Sequence, residues 1–325
     1  MKKRKNRAFH LLCLLAAMVL ALAGCRGGFS DEAVMKINGQ EIMKSEYMVY
    51  LYTATQSFLS AAGEDVWSMD FDGKTADELV EERAIQTLQS VIAAKEYAAG
   101  NGIALTEEQK QEAKQAAEQF LANVSSEDVQ KMGVDTQKLI PMMEASYLYS
   151  LVYGTIASER EVDPADAEEY YQQNHEQIQW DYTAVQLQSI LLEDAAKAQE
   201  AAERAKAGED FKTLFAEYDT DPSVQSGQEN GETTMYQSAL RNLYGLTEAL
   251  EAGNVTDPIQ AGGRYYIFRA MGKTVPTEEQ VREIAQSAYR NEVQTEYAEK
   301  RMEEMIAKQT MEKLGDAWET MEKFH

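Results

Sequence analysis

The stretch "QAGGRYYIFRAMGK", residues 260–273, has the pattern of the last strand of a small domain. Gly262 and Gly263 turn the chain, and residues 265–268 then form a short run of aromatic and β-branched residues that favours a strand. A second β-prone run covers residues 180–192. The two runs therefore delimit a mixed α+β block of the chain.

The chain between these two runs carries helical and turn patterns. Two amphipathic helices are predicted, one before and one after "AGED", residues 207–210. Residues 219–242 are rich in Asp, Ser, Gly, Asn and Thr, which predicts a loop. "LTEALEAGNVTDPI", residues 246–259, predicts a short helix that ends near Gly253, followed by an extended stretch.

Helical patterns occupy both sides of this block. Because the apolar stripe of the last helix is not stable when exposed alone, we expect the two ends of the chain to pack together. The fold class is therefore α+β. The elements predicted outside the block are a hairpin at Asn38-Gly39, helices at 44–59, 75–99 and roughly 135–159, helices that begin at Thr106 and Asp163, and a long helix capped by "TEEQ" at 277–280 that runs almost to the C-terminus.

The charge of the chain excludes one class of partner. The chain has 325 residues and a formal net charge of −24. Nucleic-acid binding requires a basic face that displaces counterions, so nucleic acid is not expected as a partner. The hydrophobic content of 44% is sufficient for a sizeable core, and the acidic surface favours a soluble protein that repels other acidic surfaces.

The N-terminus has the pattern of a bacterial lipoprotein signal peptide. Five basic residues in the first seven precede an apolar run, residues 8–23, that is too short for an ordinary transmembrane helix. The run ends in Leu22-Ala23-Gly24-Cys25, which resembles the lipobox, whose cysteine is acylated and becomes the new N-terminus. Cys25 is the predicted lipid attachment site, and Cys13 is removed with the signal peptide. An ordinary signal peptide with a chance cysteine is the alternative.

Several segments together resemble a known family. The hairpin "INGQEIMKSEY" (37–47) is similar to the N-terminal region of PrsA/SurA-type foldases. "AGEDFKTLFAEYDTDPS" (207–223) resembles the helix–loop segment of parvulin-type peptidyl-prolyl isomerases, and "EALEAGNVTDPI…GGRYYIF" (248–268) resembles the closing half of that domain. With the lipobox and the long last helix, the likeness to PrsA-like foldase lipoproteins covers nearly the whole chain.

The resemblance implies a parvulin domain inserted into a helical chaperone domain, on a protein that helps exported proteins fold. Its reaction is rotation about X-Pro bonds, whose barrier is about 18–20 kcal/mol, and it needs neither a cofactor nor a nucleophile. The implied layout is a signal peptide at 1–24, a tether at 25–32, an N-terminal helical region at 33–176, a parvulin-like domain at 177–273 and a C-terminal helix at 274–325 that packs on the N-terminal region.

The family pattern places a histidine on the first strand and another on the last strand of the parvulin domain. Here Ser189 and Tyr266 stand at those positions, and Asp221 matches the acidic position of the pattern. The resemblance thus implies Asp221, Ser189 and Tyr266 as catalytic-site positions. Because a serine and a tyrosine do not reproduce a histidine pair, we predict weak or absent isomerase activity; modest activity through the pocket alone is the alternative.

The substrate-binding positions implied by the resemblance are Met235, Tyr236 and Leu243. "NGETTMY" (230–236) matches the family's Gly-Asp-Leu-Gly-aromatic segment loosely, and Leu243 stands near the position of a pocket aromatic. Residues 142–153, rich in Met and Tyr, are interpreted either as helical core or as an adaptable client-binding surface.

The sequence predicts no metal site and no cofactor, because it lacks paired His/Cys spacing and phosphate-binding glycine motifs. The partners implied by the resemblance are unfolded or nascent exported proteins and, through the lipid, the outer face of the bacterial cell membrane; a homodimer stays open. Two other functions compete with a foldase. A solute-binding lipoprotein requires repeated strand–helix units, which the long helices argue against, and a structural lipoprotein would bind a single partner.

Overall fold

The computed structural model describes residues 29–220, 231–315, 318 and 321–325. Its chain divides into two compact units. The terminal unit comprises the chain up to Glu159 together with Glu296–His325, and the inserted unit comprises Arg160–Thr295. The predicted signal peptide and Cys25 lie outside the described residues. In the described part of the chain, no helix has the length and apolar character that a membrane span requires.

The terminal unit is mainly helical. Its hairpin turns at Asn38 and Gly39, which both have positive φ, as the Asn-Gly pair predicts. Thr75 and Thr106 each cap a helix reciprocally with the residue three positions later. The elements are β1 (Ala33–Ile37), β2 (Gln40–Met43), α1 (Lys44–Ala62), a 3-10 helix (Glu64–Ser68), β3 (Asp70–Phe71), β4 (Lys74–Thr75), α2 (Ala76–Asn101), α3 (Glu107–Asn123), α4 (Ser126–Met132) and α5 (Thr136–Ser158).

Two clusters of buried side chains hold the terminal unit together. The larger one packs the β1–β2 hairpin against α1, α2 and α5, and it includes Ile37, Ile42 and Leu88, which are fully buried. Full burial of each such side chain stabilises the fold by about 1.5–3 kcal/mol. Met142 and Met143, from the Met/Tyr-rich segment, contribute to this core.

The inserted unit contains a four-stranded antiparallel sheet with the strand order β6-β5-β8-β7. Gly262 and Gly263 form the tight turn between β7 and β8, both at positive φ, as the sequence predicts. The elements are α6 (Pro164–Asp181), β5 (Ala184–Leu192), α7 (Ala195–Lys206), α8 (Phe211–Tyr218), β6 (Glu232–Tyr236), α9 (Gln237–Tyr244), β7 (Ile259–Ala261), β8 (Arg264–Thr274) and α10 (Glu278–Ile306), of which α10 continues into the terminal unit.

Each face of this sheet is covered differently. One face, with Ile190 and Ile267, packs on α7 and α8. The opposite face, with Leu187 and Phe268, packs on α9 through Leu240 and on residues 246–259. Alternation of side chains along the strands places neighbouring residues in these two different cores.

The last helix joins both units, since its apolar stripe is divided between them. Val281 and Ala285 pack on Tyr171 of α6 within the inserted unit. Ala298 and Met302 pack on α2 and α5 in the terminal unit. The α+β class and the helical unit formed by both chain ends are thereby confirmed.

The chain after α10 differs from the expectation of a helix that runs almost to the C-terminus. The helix ends at Ile306, and β9 (Met311–Lys313) adds to β1 as an antiparallel strand. Asn38 binds Thr310 through two hydrogen bonds of 2.8 and 2.9 Å, so the hairpin turn itself receives the returning chain.

Three further expectations within the inserted unit were wrong in detail. Trp180 belongs to α6 and not to the β-prone run, because α6 continues to Asp181. The described part of residues 219–242 contains β6 and α9 as well as loop, since β6 finds its partner in β5. Residues 246–253 contain no helix: Gly253 and Ala270 are hydrogen-bonded through their backbones, which holds this segment along β8.

Candidate functional site

Ser189 and Tyr266, the two positions that the resemblance assigns to the family's histidines, lie on the central strands of the sheet. Ser189 on β5 stands opposite Phe268, and Leu191 stands opposite Tyr266 on β8. Ser189 and Tyr266 are thus diagonal neighbours on one face, a relation that separates Cβ atoms by about 7–8 Å or somewhat less. Within the described chain, no hydrogen bond joins Ser189 to Tyr266.

A β-bulge in β8 produces this arrangement. Gln186 pairs with Gly272 and Leu187 pairs with Ala270, so Met271 is the extra residue. Without it, Ser189 would stand opposite Arg269, and its side chain would share a face with that residue instead of with Tyr266. The bulge therefore brings the two candidate positions to the same side of the sheet.

Three aromatic rings cover this face beside Ser189. The ring of Tyr244, the last residue of α9, lies 4.9 Å from the ring of Tyr266 and 4.9 Å from that of Phe268. Burial, and secondarily the neighbouring Tyr266, raise the pKa of the Tyr244 hydroxyl above its usual range. The Tyr244 side chain is consequently neutral at physiological pH, and it presents an aromatic surface with a hydroxyl at its edge.

Gly231 holds the start of β6 against Ser189. The Ser189 backbone N–H donates to the Gly231 carbonyl at 2.9 Å, and Gly231 has a φ of +66°. A Cβ at this position would lie 2.2 Å from the Ser189 carbonyl oxygen and 2.9 Å from the Phe215 ring. Glycine therefore permits both the left-handed conformation and the close approach of the two strands.

Asp219 and Thr220 attach the end of the α8 segment to β5. The Leu191 N–H donates to Asp219 Oδ1 at 2.8 Å, and the Thr220 N–H and hydroxyl donate to the Leu191 carbonyl at 2.8 and 3.0 Å. Leu191 stands opposite Tyr266, so these contacts lie at the candidate site. Asp221 falls outside the described residues. Asp219, the other aspartate of "YDTDPS", was not a candidate in the sequence analysis, and it is the one whose contact with the sheet is described.

The candidate substrate-binding residues occupy different environments. Met235 stands opposite Val185 and packs into the core on the site's face of the sheet. The Tyr236 side chain is 53% exposed, with its ring 5.7 Å from that of Tyr182. Leu243 is 62% exposed, whereas the next residue, Tyr244, supplies the aromatic ring that faces Tyr266.

The described side chains of this site are suited to binding a peptide segment. Its described side chains are aromatic rings, hydroxyls and one carboxylate that accepts a backbone hydrogen bond. In the residues that the structure describes, no cluster of three or more His, Cys, Asp or Glu side chains is arranged to hold a metal ion. Such a surface can remove water from an apolar ring and hydrogen-bond a peptide group, as rotation of an X-Pro bond requires.

The chain is similar to proteins of known families. Residues 162–283 match the family described as "PPIC-type PPIASE domain". The foldase protein PrsA of Caldanaerobacter subterraneus subsp. tengcongensis is 21% identical over 317 residues, which cover 97% of each chain. The foldase protein PrsA of Halalkalibacterium halodurans is 22% identical over 98% of this chain and 87% of the relative.

A solved structure shows similarity of the same extent along the chain. The foldase protein PrsA from Streptococcus pneumoniae superposes with a TM-score of 0.48 at 16% identity, covering 86% of this chain and 93% of that one. The family match makes the inserted unit a parvulin-type domain. Over nearly its whole length the chain is similar to PrsA foldase proteins.

Proposed function

We propose that this protein is an extracytoplasmic foldase that binds unfolded or nascent exported proteins and has weak or no prolyl isomerase activity. The observation that carries the proposal is the pairing at the candidate site. Ser189 stands opposite Phe268 and Tyr266 lies in contact with Tyr244. This arrangement supports a surface that holds an apolar or proline-containing segment without the hydrogen-bonded histidine pair of the family pattern.

A pair of hydroxyl groups also differs from a histidine pair in the hydrogen bonds that it can form. Serine and tyrosine hydroxyls donate and accept hydrogen bonds, but they do not reproduce the hydrogen-bond network of a histidine pair. What the site retains is desolvation of a bound ring by aromatic side chains. Because desolvation alone provides only part of the stabilisation of a twisted amide, binding is expected to exceed catalysis.

The location proposed for this activity is the outer face of the cell membrane, with a lipid on Cys25. Support comes from the basic, apolar and small-residue segments that precede Cys25 in the sequence. A diacyl anchor gives stable attachment, whereas one acyl chain gives only marginal binding. Monomer and homodimer both stay open as states of this protein, and analytical ultracentrifugation of a form that begins at residue 26 distinguishes them.

The experiment that tests the function uses two assays on the mature protein. The first measures suppression of aggregation of an unfolded client protein, and the second measures the rate of a proline-limited refolding reaction without protease. We expect clear suppression of aggregation and an acceleration of refolding that is small or absent. Loss of both activities would rule out the foldase, and a single stoichiometric partner in pull-downs would favour an adaptor role instead.

Variants connect the second assay to the site. Ser189→His combined with Tyr266→His should raise the isomerisation rate if these positions are the family's histidine positions. Asp221→Ala tests the third position of the family pattern, and Asp257→Ala is a matched control because this side chain is 80% exposed and belongs to none of the site positions. Isomerase activity that is strong in the natural sequence and unchanged by Asp221→Ala would refute the assignment of the site.

A further inference from the structure

The first described residues of the chain are fixed firmly on the terminal unit. The Phe29 ring covers Gly133, where an added Cβ would lie only 2.2 Å from the ring. Two lysine ammonium groups, those of Lys44 and Lys138, lie 5.5 and 5.7 Å from the centre of the same ring. Cation–π attraction at such distances favours this position of the ring.

Asp31 adds a second set of contacts two residues later. Its carboxylate accepts hydrogen bonds from the Ser45 N–H and hydroxyl, each at 2.9 Å, and from Lys138 Nζ at 2.6 Å. Burial acts to raise the pKa of Asp31, but the hydrogen bonds from Lys138 and Ser45 outweigh it, and the net pKa is lowered. The carboxylate is therefore ionised at neutral pH. The Lys44 N–H donates to the Glu32 carbonyl at 2.7 Å, so the segment from Phe29 to β1 is held continuously.

The covalent distance from Cys25 to this fixed segment is short. Four Cα–Cα steps separate Cys25 from Phe29, and an extended chain spans at most about 3.6 Å per step, or about 14 Å in all. A folded unit of roughly 160 residues has a radius of gyration of about 15 Å. A lipid on Cys25 therefore leaves the terminal unit too little chain to turn its opposite side toward the membrane.

We propose that the terminal unit rests with its Phe29 face against the headgroup layer of the phospholipid bilayer. We define the Phe29 face as the groove lined by Phe29, Ser30, Lys44, Met48, Glu127, Gln130, Lys131 and Glu322. This inference depends on the proposed lipid anchor at Cys25 and adds the orientation that the anchor imposes. The opposite end of the unit is consequently directed away from the attachment point and is free to meet exported chains.

The chemistry of the Phe29 face is compatible with a phospholipid surface. The groove has a volume of about 470 Å³, and it presents the ammonium groups of Lys44 and Lys131. Lys44 forms no salt bridge with any residue in the described part of the chain, whereas Lys131 is 3.1 Å from Glu127. With Glu322 also in the groove, the charges are mixed. The short tether, and not net charge, is therefore what sets the orientation, and Lys44 is available to a lipid phosphate.

The experiment measures the distance of two labels from the bilayer. Acylation blocks Cys25, so a cysteine introduced into the mature chain is its one reactive thiol. Gln130→Cys places a fluorophore on the Phe29 face, and Ser158→Cys places it at the far end of α5, about 30 Å along the helix from Lys138. The lipidated protein is reconstituted in vesicles that carry spin-labelled headgroups, and quenching is compared. We expect at least threefold stronger quenching at position 130.

A lengthened tether provides the matched control. Insertion of about 20 Gly/Ser residues between Gly28 and Phe29 gives a flexible chain with an end-to-end distance of about 25 Å. The insertion should reduce the preferential quenching at position 130 while the protein still floats with the vesicles. Equal quenching at both positions, or quenching unaffected by the insertion, would overturn the orientation alone. Failure of the natural protein to float, with Cys25→Ala behaving identically, would overturn the anchor and the orientation together.

Discussion

Substitution of Gly231 by alanine probes how closely β6 must approach β5 at the candidate site. The added Cβ would lie 2.2 Å from the Ser189 carbonyl oxygen, which is backbone and cannot move aside like a flexible side chain. The same substitution forces alanine into a φ of +66°. The matched control is Gly245→Ala, because Gly245 has a φ of +70° and no atom within 4 Å of its added Cβ.

The expected magnitude follows from three contributions at Gly231. The left-handed conformation costs about 1–2 kcal/mol for alanine, and overpacking costs about 1–3 kcal/mol. Loss of the hydrogen bond from the Ser189 N–H to the Gly231 carbonyl adds about 0.5–1.5 kcal/mol. Gly231→Ala should thus lower the free energy of unfolding by about 2.5–6.5 kcal/mol, against about 1–2 kcal/mol for Gly245→Ala.

Equilibrium urea unfolding of the mature protein measures both variants. Amide hydrogen exchange of residues 184–192 shows whether the loss of stability is local to β5, where Ser189 lies. We expect faster exchange of this strand in Gly231→Ala than in Gly245→Ala. If the two variants were destabilised equally, the contact between Gly231 and the Ser189 carbonyl would not be the reason for a glycine at this position.

Three further substitutions test other parts of the chain. The pKa of Asp77 is lowered, because hydrogen bonds from Lys323 and His325 outweigh the effect of burial. The stabilisation by this carboxylate is therefore present above its usual pKa of 3.8 and is lost as pH falls through the folded-state pKa. Amide exchange of residues 321–325 should become faster in that acidic range, and Asp77→Asn should show the faster exchange already at pH 7. Leu240→Ala should cost about 2–5 kcal/mol in urea unfolding, against about 0.5 kcal/mol or less for exposed Leu243→Ala. Tyr50→Phe should leave thermal stability unchanged or higher, because its buried hydroxyl has no hydrogen-bond partner in the described chain; a clear loss would reveal one.

Part of the candidate site was accessible from the sequence, and part was not. The family resemblance gave Ser189 and Tyr266 as corresponding positions, and the structure places them on one face of adjacent strands. It also suggested Leu243 as the residue near a pocket aromatic, whereas Tyr244 is the residue whose ring meets Tyr266. A shift of one residue on a short helix rotates a side chain by about 100°, and the sequence pattern of α9 does not resolve such a shift.

Local features were determined by the sequence alone, because each depends on a few neighbouring residues. Asn38-Gly39 makes its turn through left-handed backbone conformations that these two residues tolerate. Thr106 and Thr277 cap helices through hydrogen bonds that span only three residues. The amphipathic stripe of α10 is also readable from the sequence, and such a stripe requires a partner surface. The fold supplies that surface in both units.

Only the tertiary structure decided which distant residues meet. The addition of β9 to β1 joins residues almost 280 positions apart, and nothing in either segment specifies the other. The bulge at Met271 sets the pairing of β5 with β8, and through it the side of the sheet on which Ser189 lies. The physical reason is that strand pairing and register arise from packing of both sheet faces and from turn geometry, which are properties of the assembled chain.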